Sequence, residues 1–312
     1  MLAGLIDLTL AALSSLAERM PWRKRAGMRM ETADGVRRPH GADGVVFGAE
    51  TIRLRGSATH AALLVHGFND TPQSMRVLAT ALQADGWSVV VPRLPGHGCA
   101  LRDMAAHASA TEWTSCVRDE YARLRQTYDT VVVCGLSMGG ALSASLAADH
   151  PEIPALVLLA PYIGLPRFYG LVLALSYLRQ LAQPYQPGSG GARSLHDPVA
   201  RAKALAPGIL TARMLSALRT IAVQAEAAVP LLHMPILYLQ SRQDNRISVR
   251  TAERNFSAIG TANARYGVRE QRWLTGCGHI ITADYCRDDV ARQVVEWFAR
   301  HAGGSPGTTR QR

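Results

Sequence analysis

The sequence predicts an α/β protein with a mostly parallel central sheet, helices on both faces of that sheet and a helical cap insertion. Apolar runs of five or six residues alternate with stretches of helical spacing through the first half of the chain. Such continuous apolar runs are typical of strands buried on both faces of a parallel sheet. The alternation breaks between about residues 161 and 230 and then resumes, which indicates an insertion within one sheet-forming domain.

The first half of the chain supplies most of the predicted strands. Gly86 and Pro151 mark the ends of two predicted helices, because glycine accommodates the left-handed residue after a helix and proline cannot continue one. The segment 45–54 is predicted to be a strand or a hairpin arm. Further strands are predicted at 60–65, 87–91, 130–134 and 153–159, and helices at 71–85, 111–128 and 137–149.

The second half combines the insertion with the rest of the sheet. Residues 161–230 contain no convincing strand, but 209–228 is predicted to be helical. Beyond the insertion we expect strands at 236–240 and 270–274 and helices at 249–258 and 283–300. The chain then divides into an N-terminal helix and linker (1–43), a core (44–160 and 231–302), a cap insertion (161–230) and a disordered tail (303–312).

The composition is that of an ordinary globular protein, with 312 residues of which 48% are hydrophobic and 19% charged. The net charge is +10, and arginine carries nearly all of the positive charge. Nucleic-acid binding is not expected, because the arginines are scattered and form no basic stripe that could follow a phosphate backbone.

Five cysteines give no framework spacing and no CxxC pair, so we expect neither a zinc site nor a redox pair, and no bound metal. Cys134 lies in an apolar run and is expected in the core. Cys277 and Cys286 could pair in an exported protein, but reduced thiols in a cytosolic protein are the simpler expectation.

Residues 1–25 combine an amphipathic segment with a basic cluster, and Pro21 ends the predicted helix. The segment lacks the basic start and the small-residue cleavage site of a signal peptide. We expect a cytoplasmic protein whose N-terminal helix docks on its own domain or on a partner chain. Peripheral contact with an anionic membrane surface and a true membrane span are the two alternatives.

The run Gly135-Leu136-Ser137-Met138-Gly139 lies between a predicted strand and a helix rich in small residues. A serine hydroxyl on such a sharp strand-to-helix turn stands out at the carboxyl edge of the sheet, and the glycines permit the crowded backbone. This context identifies Ser137 as a candidate nucleophile. The alternative is a serine that only caps the helix that follows it.

A serine nucleophile of this kind requires an acid and then a histidine later in the chain. Asp244 directly follows a predicted strand, and His279 lies between the last predicted strand and the last helix. Asp197 follows no strand, and Asp284 comes after the histidine. We therefore predict Asp244 as the acid and His279 as the base, although an aspartate in a turn and a buried structural histidine are the simpler readings of each residue alone.

A tetrahedral intermediate would need two N–H donors for its oxyanion. The backbone amide of Met138, directly after Ser137, is the first candidate. The loop that begins at His66 and Gly67 follows an earlier predicted strand, and the amide of Phe68 in this loop is the second candidate.

Taken together, these motifs resemble the carboxylesterase and monoacylglycerol lipase branch of the α/β-hydrolases. The resemblance rests on His66-Gly67-Phe68, Pro95-Gly96-His97-Gly98, the glycine-serine run with Gly140, Asp244 and His279, and it covers about residues 58–300. It implies the α/β-hydrolase fold and hydrolysis of a small, lipid-like acyl ester through an acyl-enzyme on Ser137. It also implies that no cofactor takes part.

Several alternatives stay open within this resemblance. The same three residues could serve a lysophospholipase, an amidase or peptidase, or an acyltransferase, and a binding protein could keep the fold without activity. Within the insertion, Phe168, Leu171, Leu175 and Leu178 fall at helical spacing. We expect this apolar face to pack on the core or to line an acyl pocket.

Overall fold

The computed structural model describes residues 40–165, 169–182, 185–187, 194–205, 208–263 and 267–303. The predicted N-terminal helix and most of its linker, the membrane contact of residues 1–25 and the tail beyond residue 303 therefore lie outside the described residues. Within the described part of the chain, no helix combines the length and the apolarity needed to cross a membrane. The predicted division of the chain into core and cap remains a prediction.

Seven strands form the central sheet, and six of them run parallel. The strands are β1 (Ile52–Leu54), β2 (His60–Val65), β3 (Ser88–Val91), β4 (Thr130–Leu136), β5 (Leu156–Leu159), β8 (Ile236–Ser241) and β9 (Arg269–Leu274). Their order across the sheet is β1-β3-β2-β4-β5-β8-β9, and only β1 pairs antiparallel. Because β4 lies in the middle of the sheet, whatever follows it emerges at the centre of the carboxyl edge.

Helices cover both faces of this sheet, as the apolar strands require. The first part of the chain forms α1 (Arg76–Ala84), α2 (Leu101–Ala106), α3 (Ala110–Thr127) and α4 (Met138–Asp149). The insertion forms α5 (Tyr169–Ala182), α6 (Pro198–Lys203) and α7 (Ala212–Ala228), and the last part forms α8 (Val249–Ala258) and α9 (Arg287–His301). Two short 3₁₀ helices, Pro72–Met75 and Val229–Leu231, precede α1 and follow α7.

Successive strand residues point to opposite faces, so the sheet has two apolar cores. Leu63 of β2 and Val133 of β4 belong to one core, to which α3, α4 and α7 contribute. Leu64 and Val132 belong to the other core, to which α1 and α9 contribute. All four side chains are fully buried, which explains why these strands read as continuous apolar runs in the sequence.

The ends of several predicted elements differ from the observed ones for local reasons. The predicted arm over 45–54 is a strand only from Ile52, because Gly44 and Gly48 have positive φ angles that interrupt extended backbone. The strand predicted from 153 begins at Leu156, and the last helix begins at Arg287 instead of 283. The helix predicted from 209 begins at Ala212, because the Thr211 side chain accepts the N–H of Met214 and caps it.

The insertion differs from its prediction in two respects. It contains a two-residue strand pair, β6 (Gln186–Pro187) with β7 (Ile209–Leu210), which is too short to show a sequence pattern. In α5 the face with Leu171, Leu175 and Leu178 is exposed, whereas Tyr169 and Leu173 are buried. The predicted packing of the leucines was wrong, because α5 is apolar on nearly all sides and spacing alone does not determine which side packs. Phe168 lies outside the described residues.

Cys277 and Cys286 form a disulfide, which corrects the expectation of reduced thiols. The turns between them bring their Cα atoms to 5.8 Å, within the usual range for a disulfide. A separation of nine residues in the sequence does not reveal such proximity. Because disulfides persist mainly in oxidising compartments, the thiols no longer support a cytosolic location. Cys99, Cys116 and Cys134 are free, and Cys134 is buried as predicted.

Candidate active site

Ser137 occupies the turn between β4 and α4, with φ 55° and ψ −117°. This left-handed conformation is unfavourable for a residue other than glycine and costs about 1–3 kcal/mol. The neighbouring glycines make the turn possible. A Cβ at Gly135 would lie 2.2 Å from the Gly139 carbonyl oxygen, and a Cβ at Gly139 would lie 2.1 Å from the Val65 carbonyl oxygen.

The structure brings Ser137, His279 and Asp244 together in one hydrogen-bonded chain. His279 Nε2 lies 2.8 Å from Ser137 Oγ, and His279 Nδ1 lies 2.7 Å from Asp244 Oδ2. Ser137 and His279 are 8% and 7% exposed, so the hydroxyl and the imidazole meet largely out of water. This arrangement lets an imidazole take a proton from a serine hydroxyl while a carboxylate holds the ring in place.

Asp244 is held by four hydrogen bonds. Oδ1 accepts the backbone N–H groups of Arg246 at 2.6 Å and Ile247 at 2.9 Å. Oδ2 accepts from Gln240 Nε2 at 2.7 Å in addition to His279. Burial acts to raise the pKa of Asp244, but the charge and hydrogen bond of His279 and the two N–H groups outweigh it, so the pKa is lowered. The carboxylate therefore stays ionised at neutral pH.

The two predicted oxyanion donors lie on either side of this nucleophile. Met138 is the first residue of α4, where backbone N–H groups have no acceptor within the helix. Phe68 follows Gly67, and a Cβ at Gly67 would lie 3.4 Å from Ser137 Cβ. The loop after β2 thus contacts the turn between β4 and α4 that carries Ser137, because β2 and β4 are neighbours in the sheet.

Two buried histidines support the loop after β2. His66 Nε2 accepts the N–H of Leu94 at 3.2 Å, and His97 Nε2 accepts the N–H of Asn69 at 3.3 Å. Burial lowers the pKa of His97 to about 4 and that of His66 well below its usual range. Both rings therefore stay neutral, as an accepting nitrogen requires. The sequence motifs contained both histidines, but sequence reasoning gave them no role.

Asp284 is the carboxylate that sequence reasoning set aside because it follows His279. It is fully buried and accepts four backbone N–H groups at 2.7–2.9 Å: His196, Asp197, Gly278 and Tyr285. It thereby ties the insertion to the loop that carries His279. The signal that could have found it is its position five residues after the histidine, within the same loop.

The family model Hydrolase_4, described as serine aminopeptidase S33, matches residues 56–279. The chain belongs to this family. Across 83% of the chain and 98% of the relative, it is 31% identical to a thermostable monoacylglycerol lipase of Bacillus sp. (strain H-257). It is also 25% identical to a carboxylesterase of Bacillus subtilis (strain 168) over 77% of the chain and 92% of that protein.

Solved structures share the fold of this chain. A structure from work on two metagenome-derived lipolytic enzymes, LipS and LipT, has a TM-score of 0.71 and 29% identity, and the match covers 82% of this chain and all of the other. A monoacylglycerol lipase from Paleococcus ferrophilus, with 18% identity, a TM-score of 0.65 and coverage of 80% and 98%, shows the same fold.

The comparisons confirm the predicted α/β-hydrolase fold and the predicted branch. This Hydrolase_4 family member is a carboxylic ester hydrolase.

Proposed function

We propose that Ser137, His279 and Asp244 form the catalytic triad of this esterase, and that its substrate is the ester of a single acyl chain, with monoacylglycerol as the first candidate. The hydrogen-bonded chain from Ser137 Oγ through His279 to Asp244 Oδ2 carries the assignment of roles. The names of the relatives, a monoacylglycerol lipase and a carboxylesterase, support the substrate class.

The first half of the reaction forms an acyl-enzyme. His279 Nε2 takes the proton of Ser137 as Oγ attacks the ester carbonyl carbon, and Asp244 stabilises the imidazolium that results. The tetrahedral intermediate then collapses, the bond to the alcohol oxygen breaks, and His279 gives its proton to that oxygen. Water repeats the sequence on the acyl-enzyme and releases the fatty acid and free Ser137.

The developing oxyanion is stabilised by the backbone N–H groups of Met138 and Phe68. Backbone donors suit this task because the turn that carries Ser137 and the loop after β2 hold both N–H groups in position before the reaction begins. The neutral His66 and His97 contribute by holding that loop through acceptor nitrogens. Loss of one such donor typically costs about 10²- to 10³-fold in kcat.

We assign the insertion 161–230 as a cap over this site. Two of its segments make three hydrogen bonds with the loops around the triad. The Ser194 carbonyl accepts the N–H of Ile280, next to His279, at 3.0 Å. The Ile209 carbonyl accepts from Asn69 Nδ2 at 3.1 Å. His196 donates its N–H to Asp284 at 2.8 Å. Membrane contact through residues 1–25 stays a separate proposal, outside the described residues.

A fluorophosphonate probe and a chain-length series test the proposal. The probe should label wild type, and Ser137→Ala should lose labelling and about 10⁴-fold or more of kcat on a p-nitrophenyl acyl ester. Ser145→Ala, on the same helix α4, is the matched control and should keep both the labelling and the wild-type kcat.

The acyl series separates the catalytic roles from the substrate class. Monoacylglycerols and p-nitrophenyl esters from two to sixteen carbons are compared by kcat/KM, and the maximum is expected at medium or long chains. Retention of activity in Ser137→Ala would refute the triad. A maximum at acetyl esters would refute the lipid-like substrate and leave the triad intact.

A further inference from the structure

Gln240 is a polar side chain near the end of β8, a buried strand that is otherwise mostly apolar. The residue is 0% exposed. Leu237 and Leu239 belong to one core of the sheet, whereas Tyr238, and with it Gln240, lies on the other face. A buried amide destabilises the fold unless its polar atoms are hydrogen-bonded, so this position in the strand requires a partner.

The partner of this amide is the acid of the proposed triad. Gln240 Nε2 donates to Asp244 Oδ2 at 2.7 Å, and the same oxygen lies 2.7 Å from His279 Nδ1. The other oxygen, Oδ1, accepts two backbone N–H groups of its own loop. Among the described residues, Gln240 is therefore the one donor to Oδ2 besides the base.

The amide of Gln240 is oriented to present its N–H group. Gln240 Oε1 is buried and has no hydrogen-bond partner in the part of the chain that the structure describes. If the amide were turned over, Oε1 would face the ionised Oδ2 of Asp244, and two acceptors would oppose each other. The fold thus keeps the bond to Oδ2 although it leaves Oε1 unpaired, and proteins retain such unfavourable features mainly at functional sites.

The bond to Gln240 restricts the carboxylate in a way that the backbone donors do not. Two N–H groups hold Oδ1, but the side chain of Asp244 can still pivot about this oxygen and carry Oδ2 away from His279 Nδ1. A second donor on Oδ2, which comes from the strand instead of the loop, opposes that movement. The ring of His279 is then held with Nε2 at 2.8 Å from Ser137 Oγ.

We propose that Gln240 is a positioning residue of this esterase, which holds Asp244 Oδ2 in line with His279 Nδ1 and so keeps the base aligned with the nucleophile. This inference rests on the proposed triad and goes further by assigning a residue that acts only through the acid. Loss of the alignment should slow the chemical step and leave substrate binding unchanged, because the imidazolium forms only during the reaction.

The first test is Gln240→Met, which keeps an unbranched side chain and removes the donor. On a p-nitrophenyl ester, kcat should fall by about 10- to 100-fold, the range of a hydrogen bond to a charged group. KM should stay close to that of wild type. Fluorophosphonate labelling should slow by a similar factor to kcat, because labelling also depends on the base.

The conservative variant Gln240→Glu provides a rescue that depends on pH. Its carboxyl group would lie next to that of Asp244, and two carboxyl groups so close share a proton, because both cannot be ionised. The protonated group donates to Oδ2 as the amide does. The ratio of variant to wild-type kcat should therefore be highest at low pH and fall as the shared proton leaves. The ratio for Gln240→Met should change much less with pH.

The pH profiles are compared as ratios because other titratable and charged groups surround Asp244. These groups are His279 in the loop after β9, Arg246 in the loop after β8 and Tyr238 on β8, and beyond them Asp70 in the loop after β2, Tyr162 after β5 and Arg254 on α8. All of them are present in wild type and in both variants, so the ratio isolates the group at position 240.

The matched control is Gln293, a second buried glutamine whose Nε2 donates to an aspartate, at 2.9 Å from Asp289 Oδ2 within α9. Gln293→Met and Gln293→Glu change the same kind of bond outside the triad, and both should keep the wild-type kcat. A wild-type kcat in Gln240→Met, an equal loss in Gln293→Met, or a loss that Gln240→Glu recovers at no pH would each overturn the proposal. If Gln240→Met does not fold, the pH dependence of Gln240→Glu decides.

Failure of this inference is distinguishable from failure of the proposed function. In the Asp244→Asn background, Gln240→Met should cause no further loss of kcat, because both changes act on one interaction. A small effect of Asp244→Asn alone would remove the assignment of the triad. A large effect of Asp244→Asn combined with no effect of Gln240→Met would remove only the role of Gln240.

Discussion

Asp244 and Asp70 are two buried aspartates that interact electrostatically with His279, one from the loop after β8 and the other from the loop after β2. Asp244 accepts four hydrogen bonds, whereas Asp70 accepts the backbone N–H of Thr71, and the Ser74 hydroxyl further stabilises its charged form. The pKa of Asp244 is lowered, and that of Asp70 is raised to about 6. The same type of side chain therefore has its pKa shifted in opposite directions in two loops at the carboxyl edge of the sheet.

This difference shows that two identical carboxyl groups acquire different properties from the loops that hold them. The loop after β8 saturates its carboxylate with N–H donors, so Asp244 is fixed in position and in charge and can orient an imidazole. The loop after β2 folds at a cost in stability, because burial of the Asp70 carboxyl group disfavours its charged form. Proteins retain such costs mainly at functional sites.

Asp244→Asn should have the largest effect. The amide carries no negative charge to stabilise the imidazolium, and its NH₂ group favours the wrong tautomer of His279, so kcat should fall by about 10³- to 10⁴-fold. The measurement is kcat on a p-nitrophenyl ester together with the rate of fluorophosphonate labelling. Asp288→Asn, with an exposed carboxylate at the start of α9, serves as the control. A fall of less than tenfold would show that Asp244 is not the acid of the triad.

Asp284→Asn should have the next largest effect, on stability. An amide in place of this carboxylate turns one acceptor into a donor that faces backbone N–H groups, so the free energy of unfolding should fall by about 2–4 kcal/mol. Urea unfolding measures the change, again with Asp288→Asn as the control. Because Asp284 binds the Gly278 N–H next to His279, kcat should fall more than KM changes. Unchanged stability would contradict the hydrogen-bonding role seen in the structure.

Asp70→Asn should stabilise the protein, and only above a certain pH. The folded pKa of about 6 exceeds the ordinary value, so the folded state binds the proton more tightly and wild-type stability falls as the pH rises from about 4 to about 6. The Asn variant has no carboxyl group to ionise at this position, so its stability does not fall in this way. Its free energy of unfolding should exceed that of wild type by up to about 3 kcal/mol above pH 6 and should equal it below pH 4.

The pH dependence of Asp244→Asn should have the opposite sign. The lowered pKa of Asp244 contributes stability above the ordinary carboxyl pKa of about 4, and this contribution is lost as the pH falls through the folded value. Unfolding of wild type and both variants at pH 3, 5 and 7 therefore provides one matched experiment. If the free energies of unfolding of the two variants, each relative to wild type, changed with pH in the same direction, the opposite pKa shifts of Asp70 and Asp244 would be refuted.

Loss of the disulfide should have the smallest effect of the series. A loop of this length contributes about 2–3 kcal/mol when it is closed by a cross-link. A reductant should lower the melting temperature of wild type and have no effect on the double variant Cys277→Ser, Cys286→Ser. Cys116→Ser, which removes a free thiol, is the control. Equal melting temperatures of wild type with and without reductant would contradict the bond.

The sequence predicted the fold class well because the signals for it are local. Apolar runs and turn residues located the five inner parallel strands of the sheet, and the edge strand β9 was also predicted although its sequence is mostly polar; the main errors were at element ends such as Leu156, Ala212 and Arg287. The order of Ser137, Asp244 and His279 along the chain was enough to select these residues for the site. Their mutual distances were not predictable, since Ser137 and His279 lie 142 positions apart and meet only through the order of strands in the sheet.

The backbone of the turn that carries Ser137 follows from five consecutive residues of the sequence, because Gly135 and Gly139 leave no room for a side chain. Three other properties arise from the tertiary structure. These are the packing face of α5, the contact between Cys277 and Cys286, and the four N–H groups that bind Asp284. These properties depend on which atoms meet across the sheet edge and how much water they lose. Neighbours in the chain do not fix either quantity.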